Sequence, residues 1–280
     1  MAGLLSGLSG LGLGNLENMD IYKNEEKEKQ KKEAAVQKVE EKDLIYDKTF
    51  ECPVCGESFS SKIMKSGKAR LLKTDQDLRP QYDGIDAAKY DVELCPHCGY
   101  AALSRYFTTV GSAQAKLIRE HISQRVQLHP HTGDTYSYEE AVDRYKLALA
   151  NAVVKRAKAS EKAYICLKSA WLLRGYAESL EKEEEADRKK LAELRAQEAE
   201  YLENAYNGFT EAMQTEDFPM CGMDELTVEY LIGVLAARFK KYDVASKMVA
   251  AILTSPTANN RTKDKARELK EQILADLKRQ

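Results

Sequence analysis

Two short segments with the same spelling limit what this chain can fold into more than any other feature. "FECPVCGESF" holds Cys52 and Cys55 in a C-x2-C knuckle, and "ELCPHCGYAAL" holds Cys95 and Cys98 in a second, with 39 residues between the pairs. Each C-P-x-C-G turn aims two thiolates at one point and offers its backbone amides to the sulfurs. The proline fixes the entry to the turn, while Gly56 and Gly99 permit its exit geometry. Two such knuckles facing each other complete a tetrahedral S4 site, with metal–sulfur distances of about 2.3 Å for zinc.

Four thiolates saturate zinc, leaving no position for water or substrate, so the expected site is structural. Its binding free energy then becomes folding free energy, on the order of 10–16 kcal/mol in small zinc peptides. A ribbon of about 60 residues, marginal on burial alone, can be held by that. His97, inside the second knuckle, is expected to point away from the ion. The same S4 geometry suits iron, which keeps a rubredoxin-like electron carrier as an alternative, although no flavin or nicotinamide signature accompanies it.

The rest of the chain divides by texture. Residues 1–43 join a Gly/Leu tail, "MAGLLSGLSGLGLGNL", to a charged spacer that reads as a solvated helix or linker. The tail has no basic n-region and carries Ala2 where a myristoyl acceptor glycine would stand. It is too short and glycine-rich to span a bilayer. With no other spanning stretch the expected location is cytoplasmic, where paired cysteines bind metal more often than they form disulfides. Residues 44–110 alternate short strand-like runs with turn signals and carry both knuckles, and "KSGK" (Lys65–Lys68) reads as a hairpin turn. Residues 111–280 are helical in pattern, with breaks at "LHPHTGDTYS", "TEDFPMCGMD" and "LTSPTANN".

Within those helices a small–bulky–small stripe recurs: Ala141, Tyr145 and Ala148; Ala205, Phe209 and Ala212; Ala245, Val249 and Ile252. That spacing suits the second helix of a tetratricopeptide-type hairpin, with Gly233 and Pro256 at fitting positions in the third unit. The expected fold is mainly α: a small β zinc ribbon with four cysteine ligands, followed by an irregular tetratricopeptide-like array. A plain helical bundle is the competing architecture.

Net charge is −2, with no region strongly basic, which weighs against a dedicated nucleic-acid binder. The local exception is Lys62, Lys65, Lys68, Arg70 and Lys73, a basic hairpin able to lie along a phosphate backbone, with Tyr82, Tyr90 and Tyr100 to stack bases. Asp75, Asp77, Asp83, Asp86 and Asp91 follow at once, and the expectation is that these acids neutralise it. Repeat arrays build extended binding surfaces, and Lys168, Arg174 and Arg238 are candidate contacts for an acidic segment of a protein or peptide partner. His121, His129, His131 and Asp134 form a weaker metal candidate in an expected exposed loop. Cys166 and Trp171 read as core, and Cys221 as a loop thiol with no base beside it. No P-loop, G-x-S-x-G or Rossmann fingerprint is present, so the expectation is a non-enzymatic binding protein of unassigned oligomeric state.

"CPVCGESF", "SGKARL", "DLRPQYDGID", "YDVELCPHCGYAA", "SEKAYICLKSAWLLR" and "FPMCGMDELTVEYLIG" together resemble the bacterial family catalogued as domain of unknown function 2225. The resemblance runs from about residue 45 to the C-terminus. It implies a ribbon joined to a helical region, with the family's cysteine pairs on Cys52, Cys55, Cys95 and Cys98, and it implies no activity.

Overall fold

The computed structural model describes residues 39–128, 131–183 and 187–279. The expected tail, and the spacer up to residue 38, lie outside the described residues, as does His129. Residues 41–280 form a single contact unit.

The N-terminal part is built from three two-stranded antiparallel ladders rather than one sheet. β1 (Ile45–Glu51) pairs with β2 (Ser58–Met64) around the first knuckle. β3 (Leu71–Thr74) pairs with β4 (Pro80–Tyr82), and β5 (Val92–Leu94) with β6 (Ala101–Leu103) around the second knuckle. The first and third hairpins therefore close at the cysteine turns, and the second closes through Asp75–Arg79. "KSGK" does turn, with Gly67 at φ +71°, but it connects β2 to β3, which are not paired with each other. That corrects the hairpin expectation: the glycine needed there is a connector's.

Seven α-helices follow among the described residues. They are α1 (Ser112–Ile118), α2 (Tyr138–Val154), α3 (Ala159–Leu180), α4 (Arg188–Thr215), α5 (Glu225–Arg238), α6 (Tyr242–Thr254) and α7 (Asn260–Leu277). Each of the three breaks legible in the sequence ends in a side-chain cap. Ser137 accepts from the Glu140 amide at 3.2 Å, Asp224 from Thr227 at 2.9 Å and Asn259 from Thr262 at 2.9 Å. The breaks after α2 and α5 carry no such signal, because non-glycine residues in left-handed conformation occupy them: Arg156 at φ +53° and Lys240 at φ +58°.

All nine stripe residues of α2, α4 and α6 are buried. Those of α4 and α6 join the largest core, with Leu167, Ala170 and Trp171 of α3 and Leu231 and Leu235 of α5. Those of α2 face the other way, onto Ala88, Val92, Ala101 and Leu103. The β segment thus shares a core with the first long helix.

Candidate metal centre

The strands β1 and β2 deliver the first knuckle, and β5 and β6 the second. In each the chain reverses through a backbone bond from the glycine amide to the first cysteine carbonyl: Gly56 to Cys52 at 2.8 Å and Gly99 to Cys95 at 3.0 Å. A second bond closes each base, from Cys52 to Glu57 (3.0 Å) and from Cys95 to Tyr100 (2.9 Å). Both glycines have positive φ, +80° and +72°.

The four sulfurs meet. Cys52 and Cys98 lie 3.6 Å apart, Cys55 and Cys95 3.7 Å, and all four ligand atoms fall within 4.8 Å of one another. A tetrahedron with about 2.3 Å metal–sulfur bonds has edges of about 3.8 Å, so the quartet fits a metal ion. Cys52, Cys95 and Cys98 are buried while Cys55 is exposed. Backbone amides point at the sulfurs: Val54 and Cys55 toward Cys52, His97 and Cys98 toward Cys95, Tyr100 toward Cys98. Bonds from neighbouring thiols, Cys52 first, and from those amides hold Cys95 far below the usual thiol range. The same sharing, with burial, pushes Cys52 and Cys98 up. A cation that takes the quartet displaces the shared protons, so its affinity falls as pH falls.

Around the sulfurs sits an aromatic core of Phe50, Phe59, Tyr100 and Phe107, closed by Ala115 and Ile118 of α1. Phe107 makes ring contacts with Phe50, Phe59 and Tyr100 at 5.8, 5.7 and 5.0 Å. Burial raises the Tyr100 hydroxyl well above its usual range, and it donates to the Phe107 carbonyl at 3.0 Å.

Three residues that spacing rules do not single out hold the knuckles to the helices. Arg119 donates to the Val54 carbonyl in the first knuckle at 2.8 Å. Asn151 of α2, fully buried, donates to the Gly99 carbonyl in the second at 3.0 Å. Arg144, far from any ligand cysteine in the sequence, lies over the Tyr136 ring at 4.2 Å and donates to Val92 (2.9 Å) and Ser61 (3.0 Å), in the strands that carry the two knuckles. Two polar residues seven apart, Arg144 and Asn151, on the α2 face that Ala141, Tyr145 and Ala148 mark as buried were the available signal.

The other candidates separate. Lys62 pairs with Asp47 at 3.2 Å, Lys65 donates to the Asp43 carbonyl at 2.9 Å, and Arg70 meets Asp83 at 3.2 Å. Lys68 and Lys73 are exposed. Tyr90 and Tyr100 are buried, so the base-stacking role expected of them has no exposed ring to work with; Tyr82 is half-buried. Of the candidate peptide contacts, Arg174 is bound to Asp77 (2.6 Å), Asp75 (3.3 Å) and Glu198 (2.8 Å), and Lys168 to Asp91. Arg238 reaches the same Glu198 at 3.1 Å. These cations hold the helices to the β segment and to each other. His131 bonds Glu140 (2.7 Å) and the Gly133 carbonyl (2.6 Å), and His121 is exposed elsewhere. Among the described residues, the cysteine quartet is the group of potential ligands that comes together. Cys166 and Trp171 are core, as expected; Cys221 is buried and donates to the Ser160 carbonyl at 3.2 Å, with burial pushing its thiol up. No described helix is long and apolar enough to cross a membrane.

The chain matches no curated protein and no solved structure. Its residues 45–273 match the family model described as an uncharacterized protein conserved in bacteria, DUF2225, and the chain belongs to that family.

Proposed function

We propose that the chain is a non-enzymatic adaptor of the cytoplasm. One structural zinc ion holds its β segment, and a tetratricopeptide-like array receives a segment of a partner protein. Zinc is the ion for a closed four-thiolate site whose role is to hold a shape. The observation that carries the adaptor reading is a cleft of about 680 Å³ between α2, α3 and α4. Its floor is made of small residues, Ala159, Ala163 and Gly208, and its walls include Leu149, Val153 and Asn207. Gly208 matters there: a Cβ on it would lie 2.8 Å from that of Ala163, so the two helices approach closely and leave the cleft above them open. The repeat reading draws support from the order of the buried stripes, which fall on every second helix. It is also supported by Gly233, where a Cβ would press on Met248 and Leu269 at 3.3 Å.

The test is affinity purification of the full chain from a bacterial extract treated with nuclease, beside a Val153→Glu variant. Val153 is exposed at the cleft wall, so the variant is expected to fold. A protein retained by the wild type and lost from the variant is the expected result. Repeated purifications that retain none, or retain it equally on both, overturn the adaptor reading. Metal analysis of the same material is expected to give one zinc per chain; iron with visible colour overturns the choice of ion.

A further inference from the structure

The sequence places five acids directly after a run of cations, which suggests that the two cancel. The structure sends the acids elsewhere. Asp75 and Asp77 turn inward to Arg174 at 3.3 and 2.6 Å, Asp86 to Arg79 at 3.6 Å, and Asp91 to Lys168. Asp83 alone of the five pairs with a cation of the run, Arg70, at 3.2 Å. Lys65 bonds a backbone carbonyl, that of Asp43, and pairs with no carboxylate among the described residues. Lys68 and Lys73 stand exposed. The outward edge from Lys65 to Lys73 is therefore more positive than the sequence implies.

The same edge carries two large apolar side chains in water. Leu71 and Leu72 are 52% and 53% exposed. Among the described residues β3 is bonded only to β4, and a register shift between Leu71 and Lys73 interrupts the alternation that would send one of the two leucines inward. An exposed strand edge bearing leucines is a feature that proteins normally cover or charge. Here the charges flank the leucines without replacing them.

We propose that this edge, Lys65 to Lys73, docks on an anionic lipid surface. The leucines would enter the boundary of the acyl region while Lys65, Lys68 and Lys73 meet the phosphates. Side chains of these two kinds side by side suit that interface, where burial of apolar groups and attraction to anionic headgroups add. Nucleic acid fits less well. A phosphate backbone offers the exposed leucines no apolar partner, and of the three rings expected to stack bases, Tyr90 and Tyr100 are buried, with their hydroxyls committed to Glu41 and to the Phe107 carbonyl, and Tyr82 is half-buried.

Sedimentation of the full chain with vesicles tests this. One set is phosphatidylcholine alone, the other equal parts phosphatidylcholine and phosphatidylglycerol. The expected result is binding to the second set only, weakening as salt rises. At about fivefold per cation, the Lys68→Gln/Lys73→Gln variant should bind about 30-fold more weakly. Leu71→Ser/Leu72→Ser should also weaken binding, and neither variant should shift the thermal midpoint, because all four positions are exposed. Absent binding, equal binding to both vesicle sets, or vesicle binding indifferent to the leucine variant overturns the proposal. So does tight binding to RNA or duplex DNA that anionic vesicles fail to displace, which would return the edge to nucleic acid.

Discussion

Replacing Asn151 with alanine should weaken the metal site although Asn151 touches no sulfur. The Nδ2 group donates to the Gly99 carbonyl at 3.0 Å, and Gly99 is the residue that lets the second knuckle reverse. It also donates to the Leu147 carbonyl at 2.9 Å, an acceptor within its own helix whose loss costs little. Alanine leaves the Gly99 carbonyl without that donor in a buried place, a penalty of about 1–3 kcal/mol. Part is recovered because Oδ1 of Asn151 has no partner to lose. The net is about 2 kcal/mol, or about 30-fold in an equilibrium constant, within the range of about 10–100-fold that residues orienting metal ligands supply. The assay is zinc competition against a chromogenic chelator, with Asn204→Ala as the control. Asn204 makes the same kind of bond within its own helix, to Glu200 at 2.9 Å, but on an exposed face of α4. Asn151→Ala should bind zinc about 30-fold more weakly and Asn204→Ala as tightly as the wild type. If Asn151→Ala stays within twofold of wild type while its thermal midpoint falls, the asparagine holds the helix and does not set the knuckle.

The two knuckle glycines should respond differently to alanine. Both sit at positive φ, which costs a side chain about 1–2 kcal/mol, but Gly56 has open space around it whereas a Cβ on Gly99 would lie 2.6 Å from Val126 Cγ1. Gly99→Ala should lose more stability by about a further 1–3 kcal/mol of overpacking; equal urea midpoints for the two variants would show that Val126 yields freely. Asp86 provides a pH test. Burial pushes its carboxyl above the usual carboxylate range, against the pull of Arg79, the Ala88 amide and Tyr138. The folded state then holds this proton more tightly than the unfolded state. Its contribution is full at pH below the ordinary carboxylate value and is lost as pH rises through the raised one. Asp86→Asn, which mimics the protonated form, should gain stability over wild type at neutral pH, with the gain vanishing in acid; a gain that is constant with pH would refute the linkage.

The cysteine quartet was legible because a C-x2-C pair is a local motif and each reversal is written in its own proline and glycine. The stripes Ala141–Tyr145–Ala148 and Ala205–Phe209–Ala212 were legible for a related reason, since helical spacing alone puts each set on one face. Helix ends capped by Ser137, Asp224 and Asn259 carried chemical signals, whereas Arg156 and Lys240 ended helices with nothing in their residue type to announce it. What the sequence hid was partner choice. Asp75 and Asp77 sit beside Lys73 in the chain, but they bond to Arg174, about a hundred residues away. Charge proximity along a chain is a poor guide once the backbone turns. Arg174 has a planar fork of donors that two carboxylates can engage at once, an arrangement available only after α3 and the β3–β4 turn are packed together.

That seam bears on how the two proposed surfaces are held relative to each other. Glu198, almost wholly buried, accepts from Arg174 at 2.8 Å, Arg238 at 3.1 Å and Arg195 at 3.2 Å. Against the cost of burial, Asp77 and Glu198 hold Arg174 charged. Buried ion pairs of this kind add little net stability compared with apolar packing, because desolvation offsets most of their attraction. Their consequence is geometric: once Arg174 is fixed by acids from both sides, the β3–β4 turn has one allowed seat on α3. Gly175 tightens the fit, since a Cβ there would press on Arg79 Nη2 at 2.9 Å. The cysteine quartet fixes the other end of the β segment through Asn151 and Arg119. The strand edge proposed for a lipid surface and the helical cleft proposed for a partner would be held at one mutual angle only if the segment between them cannot pivot. Two anchors, one at the cysteine quartet and one of charge, meet that requirement by holding the segment at both ends.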